Sequence, residues 1–265
     1  RKLTGTSKNL SQIAKSYQMN VFYRNEIALW NQNSTFRGLL LQMWLYANRL
    51  QYLHKTPDML SDAELLRGFT IAGIWKGYTV FDVSMMDKVV NTYGIKSVYD
   101  PCAGWGERML YCYYHDLYYH GVDVNTALQL GYEKLISDFG MVNQQVAFAD
   151  ARTYDCMFSA DAVITCPPYG NIEQYSKDGA ENLDSVAFLE WWEAVVQKSL
   201  NAHISYFCFQ VNQKWKEKMT NVVERNGFVL VEELQLKNVR SSHFTRKNGS
   251  NEKREFESMM VLKHI

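Results

Sequence analysis

Two short stretches of this chain carry residue types and spacings that can do chemistry. One is Asp100-Pro101-Cys102-Ala103-Gly104-Trp105-Gly106-Glu107-Arg108, and the other is Cys166-Pro167-Pro168-Tyr169. In the first, Gly104 and Gly106 allow a turn that a Cβ would block. A helix starting behind them offers unpaired N–H groups to a ligand. The stretch is not a phosphate loop, because it lacks a Gly-Lys-Ser/Thr ending and begins with an acid. An acid there suits a ligand with a cationic group and hydroxyls. S-adenosylmethionine, with its sulfonium and ammonium, fits that description.

The second stretch stops a buried strand with two prolines, which fix the backbone. They can hold the carbonyls of Cys166 and Pro167 outward as rigid acceptors for an exocyclic amine. Tyr169 then presents a ring on which a planar base, drawn out of its helix, can stack. Such a site works by alignment and electrostatics rather than by a strong base.

Two further acids stand at strand ends between these stretches. Asp123, in Gly121-Val122-Asp123-Val124, follows Asp100 at a spacing that suits a carboxylate accepting from ribose hydroxyls. Asp150, followed by Ala151, can accept from an adenine amine. A lone strand-end acid is as often a solvated helix cap. The ordered set on consecutive strands is what points to a ligand.

Together these residues resemble the class I S-adenosylmethionine-dependent methyltransferases, in particular the amino-methylating group that acts on adenine N6 or cytosine N4 of DNA. The family's Asp-Pro-x-x-Gly-x-Gly cofactor loop appears as Asp100 to Gly106. Its (Asp/Asn/Ser)-Pro-Pro-(Tyr/Phe/Trp) catalytic loop appears as Cys166 to Tyr169. The resemblance covers about residues 95 to 265. It implies S-adenosylmethionine as cofactor. Asp100, Ala103 and Gly104 would line its methionine part, Asp123 its ribose and Asp150 its adenine, with Pro101, Cys102, Gly106, Val124 and Ala151 also in the cofactor site. Cys166, Pro167, Pro168 and Tyr169 would hold the target base. Cys166 departs from the family pattern, since a thiol is a weaker acceptor than Asp, Asn or Ser. Either the backbone carbonyls suffice, or Cys166 is a nucleophile, as in carbon-5 pyrimidine methylation. Three other readings stay open: an RNA base-amine methyltransferase, a catalytically weak nucleic-acid-binding subunit, and a protein-glutamine methyltransferase.

The elements that must position these loops follow from hydrophobic periodicity. Strand patterns fall at 97–100, 121–124, 145–149, 162–166, 205–211, 228–236 and 258–262. Helix patterns fall between them at 107–114, 126–139, 185–200 and 214–226. This alternation predicts an α/β fold with a doubly wound, mostly parallel seven-stranded sheet, Rossmann-like. The last two strands have no helix between them and are expected to pair antiparallel. Residues 1–94 read as a mainly helical N-terminal extension and residues 95–265 as the methyltransferase domain. In the extension, 36–55 carries an apolar stripe, Ser61-Asp62-Ala63-Glu64 is a capping box, and Ser84 is expected to cap a helix ending near Gly94.

Bulk properties bound the partners. Lys+Arg and Asp+Glu are equal at 28 each, so any basic face is local. One such stretch runs from Arg240 through Arg246, Lys247 and Lys253 to Arg254, where it would contact nucleic-acid phosphates. The resemblance favours DNA over RNA, and it leaves sequence recognition to the N-terminal helices, the basic loop or a protein partner, with a homodimer also open. The five cysteines show no CxxC spacing, which reads as reduced thiols in a cytoplasmic protein with no metal site. His115 and His120 show no metal-ligand spacing, and Trp191 and Trp192 sit at helical spacing as core residues. No apolar run reaches about 18 residues, so no membrane span is expected. No signal peptide is expected either.

Overall fold

The computed structural model describes residues 7–18, 81–168, 184–235 and 257–265. The chain divides into two compact units, Arg1–Gln18 with Val80–Ile265, and Met19–Thr79. The second unit lies outside the described residues, and so do the 36–55 stripe and the Ser61 capping box. Everything below concerns the first unit.

Its described elements, in chain order, are α1 (Ser7–Tyr17), α2 (Val83–Tyr93), β1 (Ser97–Asp100), α3 (Glu107–Tyr114), β2 (Tyr118–Asp123), α4 (Gln129–Phe139) and β3 (Gln144–Phe148). Then come β4 (Ala162–Thr165), α5 (Ser185–Ser199), β5 (Tyr206–Asn212), α6 (Lys216–Arg225), β6 (Phe228–Gln235) and β7 (Glu257–His264). The seven strands form one sheet in the order β3-β2-β1-β4-β5-β7-β6. All neighbours pair parallel except β7, which is antiparallel to both β5 and β6. The predicted α/β sheet is therefore present, and β6 and β7 pair antiparallel as expected. The sequence did not indicate that β7 inserts between β5 and β6.

The chain runs outward from β1 to β3, then returns to the other side of β1 for β4. That reversal makes β1 and β4 the switch point, where the carboxyl ends of the strands open a crevice.

Each helix has a local cause. α2 buries Val83, Met85, Met86, Val89 and Val90 and stops at Gly94, whose φ is +66°. Its cap is Asp82 rather than Ser84: the Asp82 carboxylate accepts the Ser84 amide at 3.0 Å. Asp184 caps α5 in the same way, accepting from Val186 and Ala187 at 2.9 Å. The expected helix over 126–139 is divided. Asn125 caps a 3₁₀ turn at Thr126–Leu128, and α4 proper begins at Gln129. A Cβ at Gly131 of α4 would stand 2.5 Å from the Tyr17 carbonyl, so this glycine lets the end of α1 reach α4. Tyr17 also donates its hydroxyl to Asp138 at 2.9 Å.

One face of the sheet buries Tyr99, Val122, Val163, Phe207 and Phe209 against Phe188, Trp192, Val195 and Val196 of α5 and Met219 and Val222 of α6. Each such side chain contributes about 1.5–3 kcal/mol. Trp192 is fully buried, with its indole N–H on the Met219 carbonyl at 3.2 Å, and so belongs to the core. At the sheet edge, β6 carries a bulge between Leu230 and Glu232. Among the described residues no helix is long and apolar enough to cross a membrane.

Candidate active site

The glycine turn leaves β1 and doubles back into α3. Gly104 and Gly106 have φ of +61° and +96°, a region that costs an L side chain about 1–2 kcal/mol. Ala103 N donates to the Val122 carbonyl at 2.9 Å, tying the turn to β2. The Tyr132 hydroxyl reaches from α4 to the carbonyls of Ala103 and Gly104, at 3.0 and 2.9 Å. The turn's backbone is thereby fixed before any ligand arrives. Pro101 and Ala103 are buried, and Cys102 and Gly104 are partly open at the crevice.

Asp100 is enclosed. Its side chain is 0 % exposed, and both oxygens are used within the protein. Oδ2 accepts from Arg108 Nε at 2.6 Å and from the Tyr119 hydroxyl at 2.8 Å. Oδ1 accepts from the Thr165 hydroxyl at 2.8 Å and from Cys102 N at 3.2 Å. Arg108 is itself buried, donates from Nη2 to the Cys102 carbonyl at 2.5 Å, and stacks its guanidinium over Phe81 at 4.8 Å. Beside it, Glu107 accepts the Phe81 amide at 3.1 Å, and burial raises its carboxyl pKa.

Asp123 ends β2 next to the turn. Its Oδ2 accepts Gly104 N and its Oδ1 accepts Asn125 N, both at 2.8 Å. Burial pushes its pKa up to about 6, while the two amides hold it down. Each oxygen keeps a lone pair, so the group can accept from two vicinal hydroxyls. Val124 beside it is 54 % exposed and offers an apolar face to a ring.

Asp150 follows β3, and Arg152 on the same loop folds back onto it. Arg152 Nε lies 3.0 Å from both carboxylate oxygens, and Nη2 lies 2.5 Å from Oδ2. Those bonds hold the Asp150 pKa below the usual carboxylate value. The pair is partly exposed, and such pairs are worth about 0–1 kcal/mol, so an amine donor can displace it. Ala151 behind it is buried. Ala149 N donates to the Asp123 carbonyl at 3.0 Å, keeping the β2 and β3 ends together. Below this loop, His120 Nε2 sits 2.9 Å from the Tyr154 hydroxyl, and burial lowers its pKa.

The Pro-Pro segment leaves β4 at the same crevice. Thr165 and Pro167 are buried, whereas Cys166 and Pro168 are half-buried. None of the five cysteines is in a disulfide. Burial pushes the Cys102 thiol well above its ordinary range. Tyr169 and the basic residues Arg240, Arg246, Lys247, Lys253 and Arg254 lie outside the described residues.

The structure thus brings Asp100 to Gly106, Asp123, Val124, Asp150 and Cys166 to Pro168 to consecutive strand ends of one crevice. It adds Tyr119, Tyr132, Arg152 and Thr165, which the sequence reading had not named, and it gives Arg108, the last residue of the first stretch, a contact with Asp100. Only Arg108 carried a visible signal, standing one helical turn past Gly104. Chemically, the strand ends present a fixed glycine turn and, on the next two strands, the carboxylates of Asp123 and Asp150. Those parts fit S-adenosylmethionine.

No protein-family model matches the sequence, and no curated protein matches it. Solved structures do match. The methyltransferase domain of bacterial CtHen1-C is similar at 13% identity with a TM-score of 0.50, covering 69% of this chain and 96% of that one. A S-adenosylmethionine-dependent methyltransferase from Clostridium acetobutylicum is similar at 11% identity with a TM-score of 0.47, covering 68% and 89%. TrmN from Thermus thermophilus is similar at 15% identity with a TM-score of 0.48, covering 78% of this chain and 55% of that one. At 13% identity and a TM-score of 0.50, the likeness to the CtHen1-C domain concerns the fold alone, and that fold is Rossmann-like.

Proposed function

We propose that this chain is an S-adenosylmethionine-dependent N-methyltransferase acting on an exocyclic amine of a base in DNA, adenine N6 first and cytosine N4 second. The observation that carries this reading is the pairing of β1 with β4. It opens the glycine turn and the Pro-Pro segment side by side at the switch point.

When bound, S-adenosylmethionine supplies an electrophilic methyl on its sulfonium. The chain's own residues do the rest. Asp123 accepts the ribose hydroxyls, Asp150 accepts the adenine amine, and Val124 packs beside the ring. The Cys166 and Pro167 carbonyls accept the hydrogens of the target amine and aim its lone pair at the methyl. Tyr169 stacks on the flipped base. The target amine would take the methyl that the bound cofactor supplies, and its proton would then leave to solvent. Alignment is the main contribution, because a near-attack geometry alone is worth about 7–11 kcal/mol.

One observation favours a second reading. Cys166 is half-buried at the crevice, where a carboxylate, amide or hydroxyl would accept the amine more strongly. A catalytically weak nucleic-acid-binding subunit would tolerate that residue. Recognition of sequence is assigned to the 240–254 segment, the N-terminal residues or a protein partner.

Titration calorimetry with S-adenosylmethionine tests the cofactor assignment. Saturable one-to-one binding supports it, and no heat at millimolar cofactor removes it.

A further inference from the structure

The β1–β4 ladder is short. Its paired residues are Val98 with Ala162 and Tyr99 with Val163. Past that point the two strands diverge, one into the glycine turn and the other into the Pro-Pro segment. Thr165 Oγ1 bridges them, donating to Asp100 Oδ1 at 2.8 Å. The same oxygen accepts Cys102 N from inside the glycine turn at 3.2 Å. One buried carboxylate oxygen therefore holds both the turn that would carry the methyl donor and the residue before the acceptor carbonyls. The other oxygen is fixed by Arg108 and Tyr119 at 2.6 and 2.8 Å. With four donors and no exposed surface, Asp100 keeps no acceptor for a cofactor ammonium.

We propose that Asp100 acts as a joint between the donor and acceptor loops, and that Thr165 and Arg108 are positioning residues for methyl transfer. Asp100 then does not contact the cofactor. The proposal rests on the methyltransferase reading given above. Physically, Thr165 is held from both sides. Its backbone pairs with Phe209 of β5, and its hydroxyl is tied to Asp100. Arg108 closes the joint by binding Asp100 and the Cys102 carbonyl together. A misplacement of about 1 Å between reacting groups costs on the order of 100-fold in rate. The joint sets that distance without touching either substrate.

Two substitutions separate a positioning role from a merely structural one. Thr165→Val and Tyr119→Phe each remove one hydroxyl donor from Asp100, but only Thr165 links it to the acceptor loop. Thr165→Val is expected to lower kcat at least tenfold more than Tyr119→Phe does. Its Kd for S-adenosylmethionine should stay within about threefold of wild type, and Thr165→Ser should restore kcat. Equal kcat losses in Thr165→Val and Tyr119→Phe overturn the proposal, as does a loss that Thr165→Ser does not repair. Should Thr165→Val fail to fold, hydrogen exchange at Cys166 of the wild type decides. Slower exchange on saturation with S-adenosylmethionine supports the joint, and unchanged exchange overturns it. If the wild type binds no S-adenosylmethionine, the methyltransferase reading fails first. That outcome also removes the joint.

Discussion

Gly104 N donates to Asp123 Oδ2 at 2.8 Å, so the acid that ends β2 is built into the turn that leaves β1. The carboxylate that would hold the ribose also fixes the loop that would lie beneath the methionine. Its ionisation therefore bears on two parts of the ligand at once.

The pH dependence of cofactor affinity follows. Burial sets the Asp123 pKa at about 6. Below that value the carboxyl is protonated and loses acceptor capacity, so binding weakens as pH falls. Above about 7 the group is ionised and affinity is flat. Calorimetric Kd values between pH 5 and 8 should fall toward a plateau as pH rises. In Asp123→Asn the curve should lose its step near 6 and lie about tenfold weaker throughout.

Gly106→Ala should be costly for two reasons, its φ of +96° and a new Cβ 3.3 Å from Tyr132 Cε1. Gly104→Ala meets nothing nearer than 3.5 Å and carries only the backbone strain of a φ of +61°. That strain is about 1–2 kcal/mol. Thermal melts should rank Gly106→Ala below Gly104→Ala, and both below wild type.

Tyr132→Phe removes the hydroxyl that spans the Ala103 and Gly104 carbonyls. A buried hydrogen bond contributes about 0.5–1.5 kcal/mol. The variant should fold, melt a few degrees lower, and bind S-adenosylmethionine three- to tenfold more weakly.

Arg152→Ala and Asp150→Ala should differ in their effect on cofactor binding. The Arg152–Asp150 pair is partly exposed, with the arginine side chain 49 % accessible, so its loss changes stability by less than about 1 kcal/mol. Freeing Asp150 should leave cofactor binding equal or tighter, whereas Asp150→Ala should weaken it about tenfold. Calorimetry on both variants reads the difference.

Cys166→Asp and Cys166→Asn would place a stronger acceptor where the proposed function puts the target amine. Either should raise the methyl-transfer rate if the thiol limits it. Single-turnover kinetics with labelled cofactor measures that change directly.

Much of this arrangement was legible in the sequence because it is local. The strand over 97–100 and the helix over 107–114 coincide with β1 and α3, since glycine, proline and apolar period mark their ends. The antiparallel pairing of the last two strands follows from the absence of a helix between them. What was hidden depends on partners distant in sequence. Asp100 reads as a ligand-facing acid until Tyr119 and Thr165 arrive from neighbouring strands and enclose it. Arg108 closes the first stretch in sequence, but only the fold shows that it and Glu107 are buried. Asp82 takes the cap expected of Ser84 because its side chain reaches the Ser84 amide. The place of β7 between β5 and β6 is a choice of strand order that no local pattern encodes.

The most direct measurement is mass spectrometry of nucleosides after the protein is incubated with methyl-labelled S-adenosylmethionine and, separately, DNA and RNA. The account predicts label on N6-methyladenine, or on N4-methylcytosine, recovered from DNA. Label confined to RNA, or no labelled nucleoside from a protein that binds the cofactor, would contradict it.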